Sequence, residues 1–203
     1  MRTVPRWVLV TSGSAPVLLT GGWAISAVLT GPAYDPSTQT ISVLGAYGAS
    51  GFWVMNGAFL ALGLCHLLTA WGLRAAAVAG RVALGGGGLA AFAVVLLPAP
   101  TSGGSLRHGA VAVIGFTLLA VWPVLAIDGD GSAPWALRPA PCVGATVVMA
   151  LGGAWFLYEM TRHGAAGVAE RVVTFFQSLW PFVVVTSCVP RSGRGDEGPG
   201  ERP

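Results

Sequence analysis

Long apolar stretches separated by short polar connections make up most of this chain of 203 residues. A transmembrane helix needs about 20 consecutive, mostly apolar residues to cross the hydrocarbon layer. Six stretches reach that length, with boundaries placed to within about four residues. The pattern therefore predicts an all-α fold, a polytopic integral membrane protein built as a bundle of six transmembrane helices. The predicted spans are Val8–Leu29, Ala49–Leu73, Val78–Pro98, His108–Ile127, Pro139–Tyr158 and Ala169–Val189.

The domain organisation follows from the same pattern. The first apolar stretch is too long for a secretion signal and further spans follow it, so we interpret it as a retained helix. Residues 1–189 are predicted to form one six-helix transmembrane domain. Residues 190–203 consist mainly of Arg, Gly, Glu and Pro, which cannot bury apolar area, and they are predicted to be a disordered cytoplasmic tail.

Composition supports a membrane environment. Hydrophobic residues make up 54% of the chain and charged residues only 9%, whereas soluble domains carry about 25% charged residues. The formal charge of +3 is too small and too scattered to indicate a nucleic-acid partner. Every basic residue is arginine, which together with many Ala, Gly and Val residues indicates a GC-rich bacterial genome.

The arginines also predict an orientation, because loops on the cytoplasmic side are enriched in basic residues. Eight arginines fall on one side of the predicted bundle and three on the other. The protein is thus expected in the cell membrane with both termini in the cytoplasm, and the connection after the first span outside. The larger group is Arg2, Arg6, Arg74, Arg81, Arg138, Arg191, Arg194 and Arg202; the smaller is Arg107, Arg162 and Arg171.

The polar segment of residues 34–48, here called the first loop, joins the first two spans. Ionisable residues near membrane depth are costly and are therefore candidates for function. Several of them should meet the first loop at the outer side of the bundle. The candidate catalytic residues are Asp35, Glu170 and His108, and the candidate ligand-binding residues are Ser42, Asn56, Arg107, Arg171 and Trp180.

Structural roles remain open for the same residues. Asp35 and the loop hydroxyls could simply satisfy helix ends, and His108 could anchor a helix at the headgroup level. Glu170, Thr174, Gln177 and Pro181 share one helical face. That face should contact other helices or a wet cavity, as should Asn56, and hydrogen bonds between helices would explain it without chemistry. His66 is expected to be a neutral histidine bonded to a carbonyl group.

Several known chemistries lack their motifs. The chain contains no GxSxG, HExxH or P-loop signature. The run Gly85–Gly88 lacks the Lys and Ser or Thr of a phosphate loop and is interpreted as a close helix contact or a local bend. Cys65, Cys142 and Cys188 lack the spacing of a zinc site or a disulfide framework. No metal and no cofactor are expected.

A family resemblance rests on three segments. The segment Tyr34-Asp35-Pro36…Thr40-Ile41-Ser42-Val43-Leu44-Gly45-Ala46 resembles the signature after the first span of a large prokaryotic six-span family, catalogued as domain of unknown function 998. His108 with Ala112, and Gly167…Glu170-Arg171…Trp180, resemble later parts of that family and occur in the same order. The resemblance covers nearly the whole chain. It implies six helices and a polar cluster on the outer side, and it implies no agreed activity.

Three hypotheses about function follow. The leading one is an integral membrane protein that binds a lipid or lipophilic small molecule at the outer mouth of the bundle. The alternative is an intramembrane cyclase or isomerase of an isoprenoid, similar to a terpene cyclase, with Asp35 or Glu170 as the proton donor. A small transporter subunit is the third, and it would need to form a homo-oligomer. The sequence leaves open whether the protein is an enzyme.

Overall fold

The computed structural model describes residues 4–127 and 133–189. Within these ranges the fold is all-helical, and the six predicted spans are confirmed as long helices. The largest shift of a boundary is at the fifth span, which ends at Arg162 rather than Tyr158. The long helices are α1 (Arg6–Thr30), α3 (Phe52–Gly72), α4 (Val78–Leu96), α5 (Leu106–Leu125), α6 (Pro139–Arg162) and α7 (Ala166–Ser187). The one-turn helix α2 (Ile41–Leu44), which the sequence pattern did not predict, lies in the first loop.

The six long helices form a closed ring. α1 packs against α3 and α7, and the order then continues through α4, α5 and α6 back to α7. Helices in lipid associate by close packing, which favours small residues at their contacts. Gly63 of α3 and Gly88 of α4 show this most clearly, because a Cβ atom on either would lie 2.7 Å from the other's carbonyl oxygen. The predicted close helix contact at Gly85–Gly88 is thus confirmed.

Two apolar clusters fill the interior at different depths. One joins side chains of the first loop to the helices around it and contains Ile41, Leu44 and Met55. The other lies towards the opposite end of the bundle and contains Trp122 and Val184. The end that carries the first loop is called here the first-loop end, and the opposite one the far end. The predicted tail, residues 190–203, falls outside the described residues.

The three cysteines are buried and free within the described ranges, namely Cys65, Cys142 and Cys188. A buried free cysteine behaves as a small apolar side chain.

Candidate functional site

The first loop folds back into the ring and covers its centre. Ile41 and Leu44 of α2 are 2% and 1% exposed, and α2 contacts α1, α3 and α7. From α3, the Asn56 side-chain amide donates to the carbonyl oxygen of Gly45 at 3.0 Å. Asn56 is therefore a hydrogen-bonding support for the first loop.

Arg171 fastens the first loop to α7. Its Nη1 donates to the carbonyl oxygens of Pro36 at 2.7 Å and Gln39 at 3.3 Å, and its Nη2 donates to the Tyr34 hydroxyl. The guanidinium also lies 4.8 Å from the centre of the Trp23 ring, within the range of a cation–π interaction. These contacts give Arg171 a structural role in holding the loop closed.

Tyr34 is the loop's buried partner in this arrangement. Its hydroxyl lies 3.1 Å from the carbonyl oxygens of both Gln39 and Thr40. Burial raises the pKa of Tyr34 above its usual value, partly offset by the nearby positive charge of Arg171. The phenol therefore stays protonated at neutral pH and keeps its hydrogen to donate.

Asp35 caps a local turn on the exposed side of the first loop. Its Oδ1 accepts from the Ser37 hydroxyl at 2.6 Å and from the Ser37 backbone N–H at 2.9 Å, and its Oδ2 accepts from the Thr38 hydroxyl at 2.8 Å. These hydrogen bonds, those from Ser37 first, hold the pKa of Asp35 below its usual value. The geometry fits the capping role, and Asp35 is not among the residues that line the cavity described next.

A cavity lies beneath the first loop, inside the ring. The space that is open to the centres of water molecules is about 80 Å³, and all unfilled space at the site, open surroundings included, is about 610 Å³. Six of its nineteen lining residues are polar, and the rest are apolar. The polar residues are Ser42, His66, Glu170, Thr174, Gln177 and Ser178; the apolar ones are Leu19, Ile41, Phe59, Leu62, Gly87, Ala90, Ala91, Val94, Val111, Ala112, Gly115, Phe116 and Leu119.

Glu170 is the acidic residue on the cavity wall. It is 3% exposed, and its Oε2 accepts the backbone N–H of Ile41 at 2.5 Å. The α7 face predicted from the sequence continues inward from it, since Thr174 and Gln177 also line the cavity. Gln177 crosses to α5 and donates to the carbonyl oxygen of Phe116 at 3.0 Å. The prediction that this polar face turns away from lipid is confirmed.

His66 is a cavity residue that the sequence analysis did not include in the site. It is 1% exposed, and neither ring nitrogen has a hydrogen-bond partner among the described residues. The expected bond to a carbonyl group is therefore wrong. The sequence did contain a signal, because His66 shares one face of α3 with Phe59 and Leu62, at offsets of seven and four residues.

The other candidates lie outside the cavity lining. His108 at the start of α5 contacts the end of α4, with its Nδ1 2.8 Å from the carbonyl oxygen of Leu97. Arg107 beside it is exposed. Trp180 packs against the far cluster, ten residues or about 15 Å along α7 from Glu170. Of the eight candidates, the structure brings only Ser42 and Glu170 to the cavity.

No cluster of three or more His, Cys, Asp or Glu side chains suited to a metal ion occurs in residues 4–127 and 133–189. The side chains on the cavity wall supply one carboxyl group, one imidazole, three hydroxyls and one amide, and the other lining residues are apolar.

Comparison with known proteins identifies the family. The sequence model of the family described as "Protein of unknown function (DUF998)" matches residues 14–187. The chain belongs to the DUF998 family. The match includes the six long helices almost completely, together with the first loop and the cavity. No curated protein and no solved structure matches this DUF998 chain.

Proposed function

We propose that this DUF998 protein binds a lipophilic small molecule inside the helix ring, with a polar group of that molecule at Glu170 and Ser42. The observation that carries the proposal is the cavity itself, a mostly apolar chamber with a buried carboxyl group on its wall. Small-molecule sites typically combine apolar walls with a few polar groups that fix orientation.

Glu170 retains capacity for a ligand. A carboxylate has about four acceptor positions on its two oxygens, and the Ile41 N–H and the Ser42 hydroxyl leave about two of them for a ligand. A buried polar group is costly unless its hydrogen bonds are made. A ligand hydroxyl at this point would meet that requirement while the apolar body of the ligand contacts Phe59, Leu62 and Phe116.

The arginine distribution supports an orientation for this site. With both termini in the cytoplasm, the first-loop end and the Glu170 side of the cavity face the outer leaflet of the cell membrane. The ligand would then be a membrane lipid or another lipophile present on that side.

An intramembrane isoprenoid cyclase or isomerase is the second candidate. It is favoured by the presence of an acid and two aromatic rings, Phe59 and Phe116, on the same apolar cavity. A protonated Glu170 would add its proton to an alkene or epoxide of the substrate. The aromatic faces would stabilise the resulting cation. A carbon next to the cation would then lose a proton to the Glu170 carboxylate. This step would complete an isomerisation with no net change in composition.

The test compares wild-type protein in lipid nanodiscs with Glu170→Gln, using Asp35→Asn as a matched carboxyl-to-amide control outside the cavity. Mass spectrometry of extracted nanodiscs should show a lipophile enriched by wild type and by Asp35→Asn, and reduced about tenfold by Glu170→Gln, the loss expected for one charge-assisted hydrogen bond. Equal recovery from Glu170→Gln, or no enrichment by wild type, would contradict the proposal.

The same samples separate binding from catalysis. An isoprenoid epoxide incubated with wild type should be recovered unchanged if the protein only binds it. An isomer of the same mass, formed by wild type and by Asp35→Asn but not by Glu170→Gln, would establish the cyclase instead.

A further inference from the structure

His66 marks a second polar position in the cavity, on the wall formed by α3. Both of its ring nitrogens lack a protein partner within the described residues, although the side chain is 1% exposed. Buried polar side chains in native proteins nearly always have a hydrogen-bond partner, so an exception needs an explanation. Its position on the cavity wall supplies one, because a bound molecule can provide the partner.

The depth of His66 in the bundle can be measured from the level of α2. Glu170 bonds to Ile41 at the start of α2, and Asn56 bonds to Gly45 directly after its end, so both lie at the level of the first loop. His66 follows Asn56 by ten residues along α3. At 1.5 Å per residue it lies about 15 Å deeper in the bundle.

The walls between these two levels are mainly apolar. Phe59 and Leu62 of α3 precede His66 on the cavity face, and small residues of the neighbouring helix α4, such as Gly87 and Ala91, line the adjoining wall. Gln177 lies at intermediate depth and donates to a backbone carbonyl. Thr174 and Ser178 of α7 also lie at intermediate depth, and their hydroxyls donate to carbonyl oxygens of their own helix. The cavity thus has a polar group near the first loop and another deep in the membrane, and the polar side chains of α7 between them already have protein partners.

We propose that the ligand is an elongated lipophile with an oxygen function at each end, and that its inner hydroxyl or carbonyl group binds His66. This inference rests on the proposed function and specifies its ligand class. A neutral imidazole has one donor and one acceptor nitrogen, so it can pair with a hydroxyl in either sense or donate to a carbonyl. The outer hydroxyl binds at Glu170, and the apolar chain lies between the two positions.

Competition between linear alcohols tests the inference. Wild-type protein in nanodiscs is titrated with dodecanediol carrying a hydroxyl at each end, and with dodecanol, which has one. The diol should bind about three- to tenfold more tightly, the effect of one net hydrogen bond. Hexanediol, too short to reach both positions, should gain nothing over hexanol.

The matched variants are His66→Phe, which removes both nitrogens and keeps a ring, and His66→Asn, which keeps a hydrogen-bonding nitrogen. His66→Phe should bind dodecanediol and dodecanol equally, and His66→Asn should restore part of the preference. Dodecanol binding by His66→Phe also shows that the variant is folded.

Three results would overturn the inference. Equal binding of the two long alcohols by wild type would mean that no ligand group bonds to His66, whether a water molecule does so or not. If dodecanol binding still depends on Glu170 in that case, the proposed function stands without the inference. A diol preference that survives in His66→Phe would assign the inner contact elsewhere. If wild type binds neither long alcohol, the proposed function fails together with the inference.

Discussion

Glu170 and Arg171 are adjacent in the sequence but act on different parts of the molecule. Successive residues on an α-helix point about 100° apart. Glu170 therefore faces the cavity, whereas Arg171 turns towards the first loop and bonds to Pro36 and Tyr34. One residue supplies a polar group to the interior, and its neighbour keeps the cover of that interior in place.

At the residue scale, Asp35 gives a prediction about pH. Hydrogen bonds from Ser37 and Thr38 lower the pKa of Asp35 in the folded protein. They therefore stabilise the loop at pH values above about 3.9, the pKa of an unfolded aspartate. This stabilisation is lost as the pH falls through the lower pKa of the folded protein. Nuclear magnetic resonance of protein labelled with ¹³C-aspartate should show an Asp35 midpoint below about 3.9.

Two variants control this measurement. Asp35→Asn assigns the signal by removing it. Ser37→Ala deletes the hydroxyl donor at 2.6 Å and should move the Asp35 midpoint upward. A midpoint at or above the ordinary value in the wild-type protein would mean that the turn does not persist in the membrane.

At the scale of elements, the important contact is between the first loop and the start of α7. The backbone N–H of Val168 donates to the carbonyl oxygen of Ser37 at 3.2 Å, and Gly167 lies directly beneath the loop. A Cβ atom on Gly167 would come within 2.5 Å of the carbonyl oxygen of Pro36. Because that oxygen belongs to the backbone, the loop itself would have to move.

Gly167→Ala is therefore expected to lift the first loop from α7. The clash should lower the free energy of unfolding by about 1–3 kcal/mol, the usual cost of overpacking. Hydrogen exchange of residues 34–45 should speed up, because the backbone bonds that hold the loop would open. Thermal unfolding and exchange mass spectrometry in nanodiscs measure both effects.

Gly144→Ala is the matched control for that variant. Gly144 lies in α6, and a Cβ atom there would meet nothing within 4 Å. It should leave loop exchange unchanged and stabilise the helix by up to about 1 kcal/mol, since alanine restricts the unfolded chain more than glycine does. Equal exchange in the two variants would show that the loop does not depend on close contact at Gly167.

The sequence predicts the helices of this protein better than it predicts the contacts between them. Hydrophobic length alone located the six spans, and helical periodicity identified the inward face of Glu170 and Gln177. The single turn α2 escaped detection because four residues are too few for a periodic signal, and it forms where Ile41 and Leu44 can be buried. His66 was not predicted as a cavity residue either, because its place on the cavity wall depends on which residues of other helices lie across the ring.

At the scale of the whole molecule, ring closure is the property that creates the cavity. Glu170 is on α7 and His66 is on α3, and these helices are separated in the ring by α1. Their common chamber is lined by five of the long helices, α1, α3, α4, α5 and α7, and by α2 of the first loop. Residue pattern fixes which face of a helix turns inward, but the order and spacing of helices around the ring depend on contacts such as Gly63 with Gly88.

The orientation of the whole molecule can be tested by cysteine labelling, because the native cysteines are buried. Ser102→Cys introduces an exposed thiol at the first-loop end, and Ala140→Cys introduces one at the far end. The arginine bias predicts that a membrane-impermeant maleimide labels Ser102→Cys in intact cells and labels Ala140→Cys only after permeabilisation. The reverse pattern would place the first loop in the cytoplasm. Since Glu170 bonds to that loop, it would also move the outer polar position of the cavity, and therefore the source of its ligand, to the inner leaflet.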